Sequence, residues 1–335
     1  MPSLERESHQ IVIAGASTLL GAELKLLLEE SRFAGWDFHL LDEEDAAGTL
    51  TEAGGEPAVI QPVEEGSFDK ARFIFFTASP SFTKMNLAEA KNSSGKIVDL
   101  SGALACEGET STWFPKLDEL READFPSSAA TYVVPSAAGT AALALTMALL
   151  RCSARRIAFQ WFQPVSEAGR AGIEELESQT GQLLSFQNVG QPVFDSQVAF
   201  NMLDSYGAAS AHRLDTVCER VRAEVKAGLA SSTVVPSIQV VHAPVFYGTM
   251  FSAYAELDPS ANAGRIAKAC ADAGFALTAS GEAGPNNVSA AGEKTIQLAQ
   301  PKLDPVHPGT WWFWGAADNI RLPAWNAVKL AEKLA

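Results

Sequence analysis

Positive charge is in short supply. The chain has 335 residues, with 25 Lys and Arg against 40 Asp and Glu, for a net charge of −15. That balance argues against gripping a nucleic-acid backbone, which needs basic stripes, and against docking on anionic lipid. Cysteine is scarce as well. Cys106, Cys152, Cys218 and Cys270 stand at wide, irregular spacing and form no CxxC pair. This gives neither a zinc ribbon nor a disulfide framework, so no metal is expected, and it fits a reducing compartment. No run of about 18 apolar residues occurs, so no membrane span is expected. The opening Met-Pro-Ser-Leu-Glu-Arg-Glu-Ser-His-Gln has acids and no apolar core, unlike an export signal. A cytoplasmic location is the expectation. Internal repeats and low-complexity tracts are also missing.

What remains is an ordinary globular composition, 47% hydrophobic and 19% charged. The length suggests about two domains of roughly 150 residues. Up to residue 135 short apolar runs alternate with helical stretches. Strands are predicted at Gln10–Ala14, Asp37–Leu41, Pro57–Gln61, Ala71–Thr77, Lys96–Leu100 and Thr131–Val134, with a helix over Leu20–Glu30. Most of these strands are nearly continuous Val, Ile and Phe, as strands buried on both faces are. The βαβ rhythm predicts a Rossmann-type, doubly wound parallel sheet. From Gly139 the pattern changes. A buried Ala/Leu helix over Thr140–Leu150 precedes longer strands at Arg156–Val165, Ser237–Val245, Thr249–Leu257, Phe275–Ser280 and Thr295–Gln300. Helices are predicted at Ile173–Leu184, Leu214–Leu229 and Ala263–Ala273. This reads as an α+β domain around a large mixed or antiparallel sheet. A last helix, Leu322–Leu334, is expected to return to the first domain. The predicted division is 1–135 plus 318–335, and 136–317. Residues 190–210 look loop-rich.

Gln10-Ile-Val-Ile-Ala-Gly15-Ala-Ser17-Thr18-Leu-Leu-Gly21 has the form of a strand, a turn and a helix start. A dinucleotide-binding turn uses one Gly for the bend, one for pyrophosphate approach and one for helix packing. Gly15 and Gly21 suit the first and third roles, but Thr18 stands near the middle one. Its Cβ and hydroxyl crowd the surface where a pyrophosphate lies. The turn therefore reads either as structural only or as a weakened dinucleotide site. After the second strand come Asp42-Glu-Glu-Asp45, four acids that repel a 2′-phosphate. They read either as a solvated loop or as a ribose contact.

Taken together, the segments resemble the aspartate-semialdehyde dehydrogenase family. The resemblance runs over nearly the whole chain. It is carried by Gly15–Gly21, Phe76-Thr-Ala-Ser-Pro-Ser81, Asp99-Leu-Ser-Gly-Ala103, Phe162-Gln-Pro-Val-Ser-Glu-Ala-Gly169 and Gly172-Ile-Glu-Glu-Leu176. It continues through Gln197–Asn201, Ala243–Gly248, Ala317–Arg321 and Asn326-Ala-Val. The resemblance implies an NADP-binding Rossmann domain joined to a catalytic, dimer-forming domain. It also implies conversion of an aspartyl phosphate to the semialdehyde through a cysteine thioester. That chemistry needs a thiolate, a base and cations for carboxylate and phosphate.

Position by position, the parts are mostly replaced. The resemblance puts the nucleophile at Ala137 or Ala138, neither of which forms a thioester. Ser136 is adjacent, with no base for it visible nearby. The base position is Thr249, and the substrate-arginine position is His242, either a weak cation or a core histidine. Leu104-Ala105-Cys106 stands where a phosphate-holding Arg is expected. Gln163 retains the place of a glutamine near the thioester. Ser166 and Gly169 remain of the loop under the nicotinamide, with Glu167 in place of its first Gly. Glu224, one turn after Arg220, lies on the helix that holds substrate, or forms an ordinary i,i+4 contact. Asn319 and Arg321 match the closing motif, and Asn319 is counted with the degenerate cofactor positions.

The expected function is thus a semialdehyde-dehydrogenase-like homodimer without catalysis, with NADP binding weakened or lost and its small-molecule ligand unknown. One alternative is a metabolite-binding or protein-interaction dimer, hinted at by Trp311-Trp312-Phe313-Trp314. Another is an active enzyme with a displaced thiol at Cys106.

Overall fold

The computed structural model describes residues 9–229 and 234–335; most of the opening stretch in which no export signal is expected lies outside them. The chain divides into two compact units. One contains the chain up to Phe114, Phe125–Val134 and Pro323–Ala335; the other contains Pro115–Asp124 and Pro135–Leu322.

The first unit is built on strands β1 (Gln10–Ala14), β2 (Asp37–Asp42), β3 (Leu50–Ala53), β4 (Glu56–Val59), β5 (Gln61–Pro62), β6 (Ala71–Phe76), β7 (Lys96–Asp99), β8 (Thr110–Thr112) and β9 (Thr131–Val133). Seven of them form one parallel sheet in the order β5-β2-β1-β6-β7-β9-β8. The chain leaves β1 toward β2 and later returns to its other side, so the strand order reverses at the carboxyl end of β1. Alternation along β1 serves two cores. Ile11 and Ile13 pack with Leu24, Leu27 and Leu28 of α1 (Leu19–Glu29) and with Ala327, Val328 and Ala331 near the C-terminus. Val12 and Ala14 pack with Ile74, Phe76 and Phe82, the last on α2 (Pro80–Asn92). The sheet is covered on both faces, as its continuous apolar strands require.

The stretch 57–61 departs from expectation. Glu56–Val59 pairs with β3 in a separate antiparallel hairpin, and only Gln61–Pro62 joins the sheet, as its edge. Pro57 and Pro62 have no N–H to give a central ladder.

The second unit holds α3 (Leu117–Arg121), α4 (Ala137–Leu150), α5 (Gly169–Leu184), α6 (Leu214–Leu229), α7 (Ala263–Asp272) and α8 (Asn287–Ala290). Its strands are β10 (Arg156–Gln163), β11 (Ser237–His242), β12 (Thr249–Glu256), β13 (Phe275–Leu277), β14 (Ile296–Leu298), β15 (Lys302–Leu303) and β16 (Thr310–Ala317). They form a mixed sheet, β11-β10-β12-β16-β14-β13, with β15 beside β16. The sequence reading had no strand at β16, where Trp311 to Trp314 is apolar on both faces and hides the alternation. Trp311 and Phe313 are 5% and 2% exposed, whereas Trp312 and Trp314 are 44% and 37% exposed. The buried set, with Phe159, Trp161 and Phe251, faces the side on which α4 packs; the other side is partly exposed, with Pro285 O accepting from Trp314 Nε1.

Helix α4 has no charged residue and is buried around nearly its whole circumference. Glycine lets α6 approach it closely. A β-carbon on Gly228 would overlap Leu143, and one on Gly139 would overlap Glu224 Oε2. Arg121 on α3 closes the far end of α6, donating to the carbonyls of Gly228 (2.6 Å from Nη2) and Ala227. The last helix, α9 (Arg321–Leu334), buries Ala324 to Ala331 in the first unit's core, while Asp318 to Leu322 stay with the second. The division therefore falls after Leu322 rather than after residue 317, and residues 115–124 belong to the second unit.

Candidate functional site

The carboxyl end of β1 is where an α/β sheet of this order places its ligand. Gly15 turns there with φ +110°, and a β-carbon on it would collide with Ala78 and Thr77. Gly21 lies against the Gly15 carbonyl, again too closely for a side chain. Both glycines are required by the bend and the packing. The amides, however, are spent. Those of Gly15 and Ala16 donate to Leu41 O, and that of Thr18 to Gly15 O. Ser17 N donates to Asp42 Oδ2 at 2.7 Å. Thr18 is the N-cap of α1: its Oγ1 accepts from Gly21 N at 2.9 Å and donates to Gly15 O at 2.8 Å. Asp42 is buried and is neither a solvated loop residue nor open to a ribose, since its other oxygen takes Glu43 N at 2.8 Å. A phosphate held at a helix start needs outward amides; here Ser17 N and Gly21 N, on either side of the Thr18 cap, are already taken by a carboxylate and a hydroxyl of the chain. From Gly15 to Thr18 the turn offers no free amide to a dinucleotide phosphate.

In the second unit the corresponding place is the start of α4. Ser136 is its N-cap, accepting Gly139 N on Oγ at 3.0 Å. The same Oγ donates to Glu224 Oε2 at 2.6 Å, and Ser136 N donates to Glu224 Oε1 at 3.2 Å. Arg220 Nε donates to Glu224 Oε1 at 2.9 Å. Glu224 is 0% exposed. The Ser136 hydroxyl therefore does have a carboxylate partner, which the sequence reading missed because 88 positions separate the two. That carboxylate is tied to a guanidinium and to a backbone amide, and the hydroxyl is tied into the cap. Both are held as structural groups.

A second carboxylate stands nearby. Asn319 Nδ2 donates to Glu167 Oε1 and to Ser166 Oγ, both at 3.1 Å, while its Oδ1 accepts from Gly248 N at 3.0 Å. Asn319 thus joins the 166–167 turn to the start of β12. Glu167 is exposed, with its carboxylate facing Asn319, Arg220 and Glu224. Desolvation raises its pKa, against the pull of Arg220 and Asn319 and with the push of Glu224. Gly169 opens α5 with φ +71° and faces open space.

His242 belongs to the core. It is 0% exposed; its Nε2 meets Val198 O at 3.1 Å and its Nδ1 meets Tyr206 Oη at 3.2 Å. Val198 O can only accept, so Nε2 carries the proton and Nδ1 accepts from Tyr206. Burial holds the His242 pKa below its ordinary value, against the Val198 bond. It is a neutral packing histidine, not a cation for a substrate. Thr249 is buried, with Oγ1 donating to Phe162 O at 3.4 Å. Gln163, also buried, closes β10 next to this group.

The loop after α5 is fixed by one turn of that helix. Gln179 Oε1 accepts from Val198 N and Ala199 N, its Nε2 donates to Gly190 O and Ser196 O, and Glu175 accepts from Val193 N. Cys106 is exposed in the turn after Asp99, and Cys152, Cys218 and Cys270 are buried. Among the described residues no cluster of His, Cys, Asp and Glu could hold a metal, and no helix is long and apolar enough to cross a membrane. A cavity of about 400 Å³ lies elsewhere, between α6 and β11, lined by Asp204, Asp215, Cys218, Glu219, Arg222 and Val240. None of the expected site residues reaches it.

Residues 148–322 match the family described as semialdehyde dehydrogenase, dimerisation domain. The chain belongs to the semialdehyde dehydrogenase family. Two relatives, each called a USG-1 protein homolog, span 97% of this chain and 97% of their own length. They are 29% identical in Azotobacter vinelandii and 27% in Pseudomonas aeruginosa. A solved structure titled a probable aspartate-semialdehyde dehydrogenase from Pseudomonas aeruginosa aligns with a TM-score of 0.86 at 26% identity, covering 97% of this chain and 98% of that one. In this semialdehyde dehydrogenase family member the positions expected for nucleophile and base, Ala137 or Ala138 and Thr249, lie at the start of α4 and the start of β12. The first position has Glu224 and the second Asn319 beside it, through Ser136 and Gly248 respectively.

Proposed function

We propose that this protein is a non-catalytic member of the semialdehyde dehydrogenase family, acting as a homodimer in the cytoplasm, and that it binds no NADP. One observation carries the reading: Ser136-Ala137-Ala138-Gly139 at the start of α4 has no thiol, and Glu224 closes the place with its carboxylate. The family reaction transfers an acyl group to a cysteine, and loss of a nucleophile costs about six powers of ten in a well-studied hydrolase. Neither Thr249 nor neutral, buried His242 supplies a base to a substrate. At β1 the spent amides of Gly15 to Thr18, and the acids that follow, do not suit NADP.

The partly exposed side of the second unit's sheet supports the dimer. Trp312, Trp314, Tyr254 and Phe162 form an aromatic patch there, with Trp314 5.8 Å from Phe162 and Trp312 5.3 Å from Tyr254 between ring centroids. Aromatic residues are enriched at interface centres, and the matched family is a dimerisation domain. The four free cysteines suit a reducing cytoplasm. Calorimetric titration with NADP and NAD tests the cofactor half of the reading: no saturable heat is expected, and micromolar binding of NADP would contradict it.

A further inference from the structure

The two helix starts share a feature. Just before the Thr18 cap of α1 the amide of Ser17 holds the carboxylate of Asp42; at α4 the amide and hydroxyl of the Ser136 cap hold the carboxylate of Glu224. A helix start carries about half a positive charge and outward N–H groups, so it attracts an anion. At α4 the anion is bound from three sides. Ser136 N and Arg220 Nε donate to Oε1, and Ser136 Oγ donates to Oε2. The carboxylate is fully buried, and Gly139 leaves the room it fills.

We propose that Glu224 is a built-in ligand: its carboxylate occupies an oxyanion site formed by Ser136, Arg220 and the start of α4, and keeps external phosphate and carboxylate out. This deepens the non-catalytic reading and rests on it in one respect, that no substrate phosphate is meant to enter here. The Ser136 hydroxyl donates to that carboxylate because Ser136 is a ligand to it, not a nucleophile awaiting a base.

The test uses the full chain as wild type, Glu224→Ala and Glu224→Gln. Melting temperature is followed with increasing phosphate or acetate, at ionic strength held constant with chloride. Wild type is expected to show no specific response. Glu224→Ala empties the site, so it is expected to melt low in chloride and to recover in phosphate or acetate, with saturation. If it folds only when phosphate is present, that is the same result in stronger form. Glu224→Gln keeps an acceptor for Ser136 and removes the charge, so it is expected to fold in chloride and still gain stability from phosphate beyond wild type. Adding Arg220→Met to either variant is expected to abolish the response. The proposal is overturned if both variants respond to the anions no more than wild type, or if the response survives Arg220→Met. NADP-dependent turnover by wild type would sink the non-catalytic reading without touching this result.

Discussion

Gly139 carries no side chain where Glu224 lies against it: a β-carbon there would overlap Oε2 and stand 3.0 Å from Cδ of the same carboxylate. Glu224 in turn accepts two hydrogen bonds from Ser136, three residues earlier on the chain. One glycine therefore decides whether the carboxylate can reach the start of α4. Gly139→Ala must displace Glu224 or the helix. It is expected to cost about 1–3 kcal/mol, the range for overpacking a tight interior, despite alanine's better helix propensity. Urea unfolding of the variant checks this. A neutral or stabilising result would mean that Glu224 does not sit where described.

Ser136→Ala removes both the cap on Gly139 N and the hydroxyl donor to Glu224. The expected loss is about 0.5–2 kcal/mol, as for other N-cap truncations. Ser136→Thr, which keeps the hydroxyl, is expected to restore most of it. Equal destabilisation by Thr and Ala would remove the cap from the explanation.

His242 gives stability a defined pH dependence. Its pKa lies below the ordinary 6.5 because burial disfavours the charged ring. The unfolded chain therefore takes up a proton before the folded one as pH falls. The contribution is intact above about 6.5 and is lost as pH drops from there toward the lowered value; His212, also lowered by burial, adds in the same sense. Melting curves from pH 8 to 5 are expected to show a steeper loss for wild type than for His242→Gln. Parallel curves would place His242 in solvent.

Glu167 has the opposite sign. Desolvation raises its pKa above the ordinary 4.5, so the folded state favours the protonated carboxyl. Its contribution is best at low pH and declines as pH rises from about 4.5 toward the raised value. Glu167→Gln keeps an acceptor for Asn319 and removes the charge. It is expected to melt higher than wild type at pH 7 and to approach it at pH 4. A variant that melts lower at pH 7 would show the ion to be stabilising.

The partly exposed sheet face predicts a loss of assembly. Trp314→Asp combined with Trp312→Asp is expected to convert the dimer to monomer in analytical ultracentrifugation. A doubly substituted protein that sediments as the wild type would move the interface elsewhere.

Much of the fold could be read from period and glycine placement. The continuous apolar strands of the first unit pointed to a sheet covered on both sides, and Gly15 and Gly21 to a tight βα turn. Strand β16 was hidden because tryptophan reads as apolar on both faces, and the run over 57–61 does not form one sheet strand because Pro57 and Pro62 break the ladder. At the expected nucleophile positions, Ala137 and Ala138, the lack of a thiol is plain from residue identity alone. The closing carboxylates are not. Asp42 looked like one of four loop acids until its depth separated it from Glu43 to Asp45. Glu224 looked like half of a surface pair with Arg220, because the partner that buries it, Ser136, lies in a distant segment. Hydrogen bonds between remote segments leave no local period to detect.

The most direct test is steady-state reduction of NADP by the purified wild-type protein with aspartate semialdehyde and inorganic phosphate. The account predicts no phosphate-dependent NADPH formation, before or after alkylation of the exposed Cys106 thiol. Turnover at about 1 s⁻¹ or faster, within the ordinary enzyme range, would contradict it. Loss of that turnover on alkylation would assign the chemistry to Cys106.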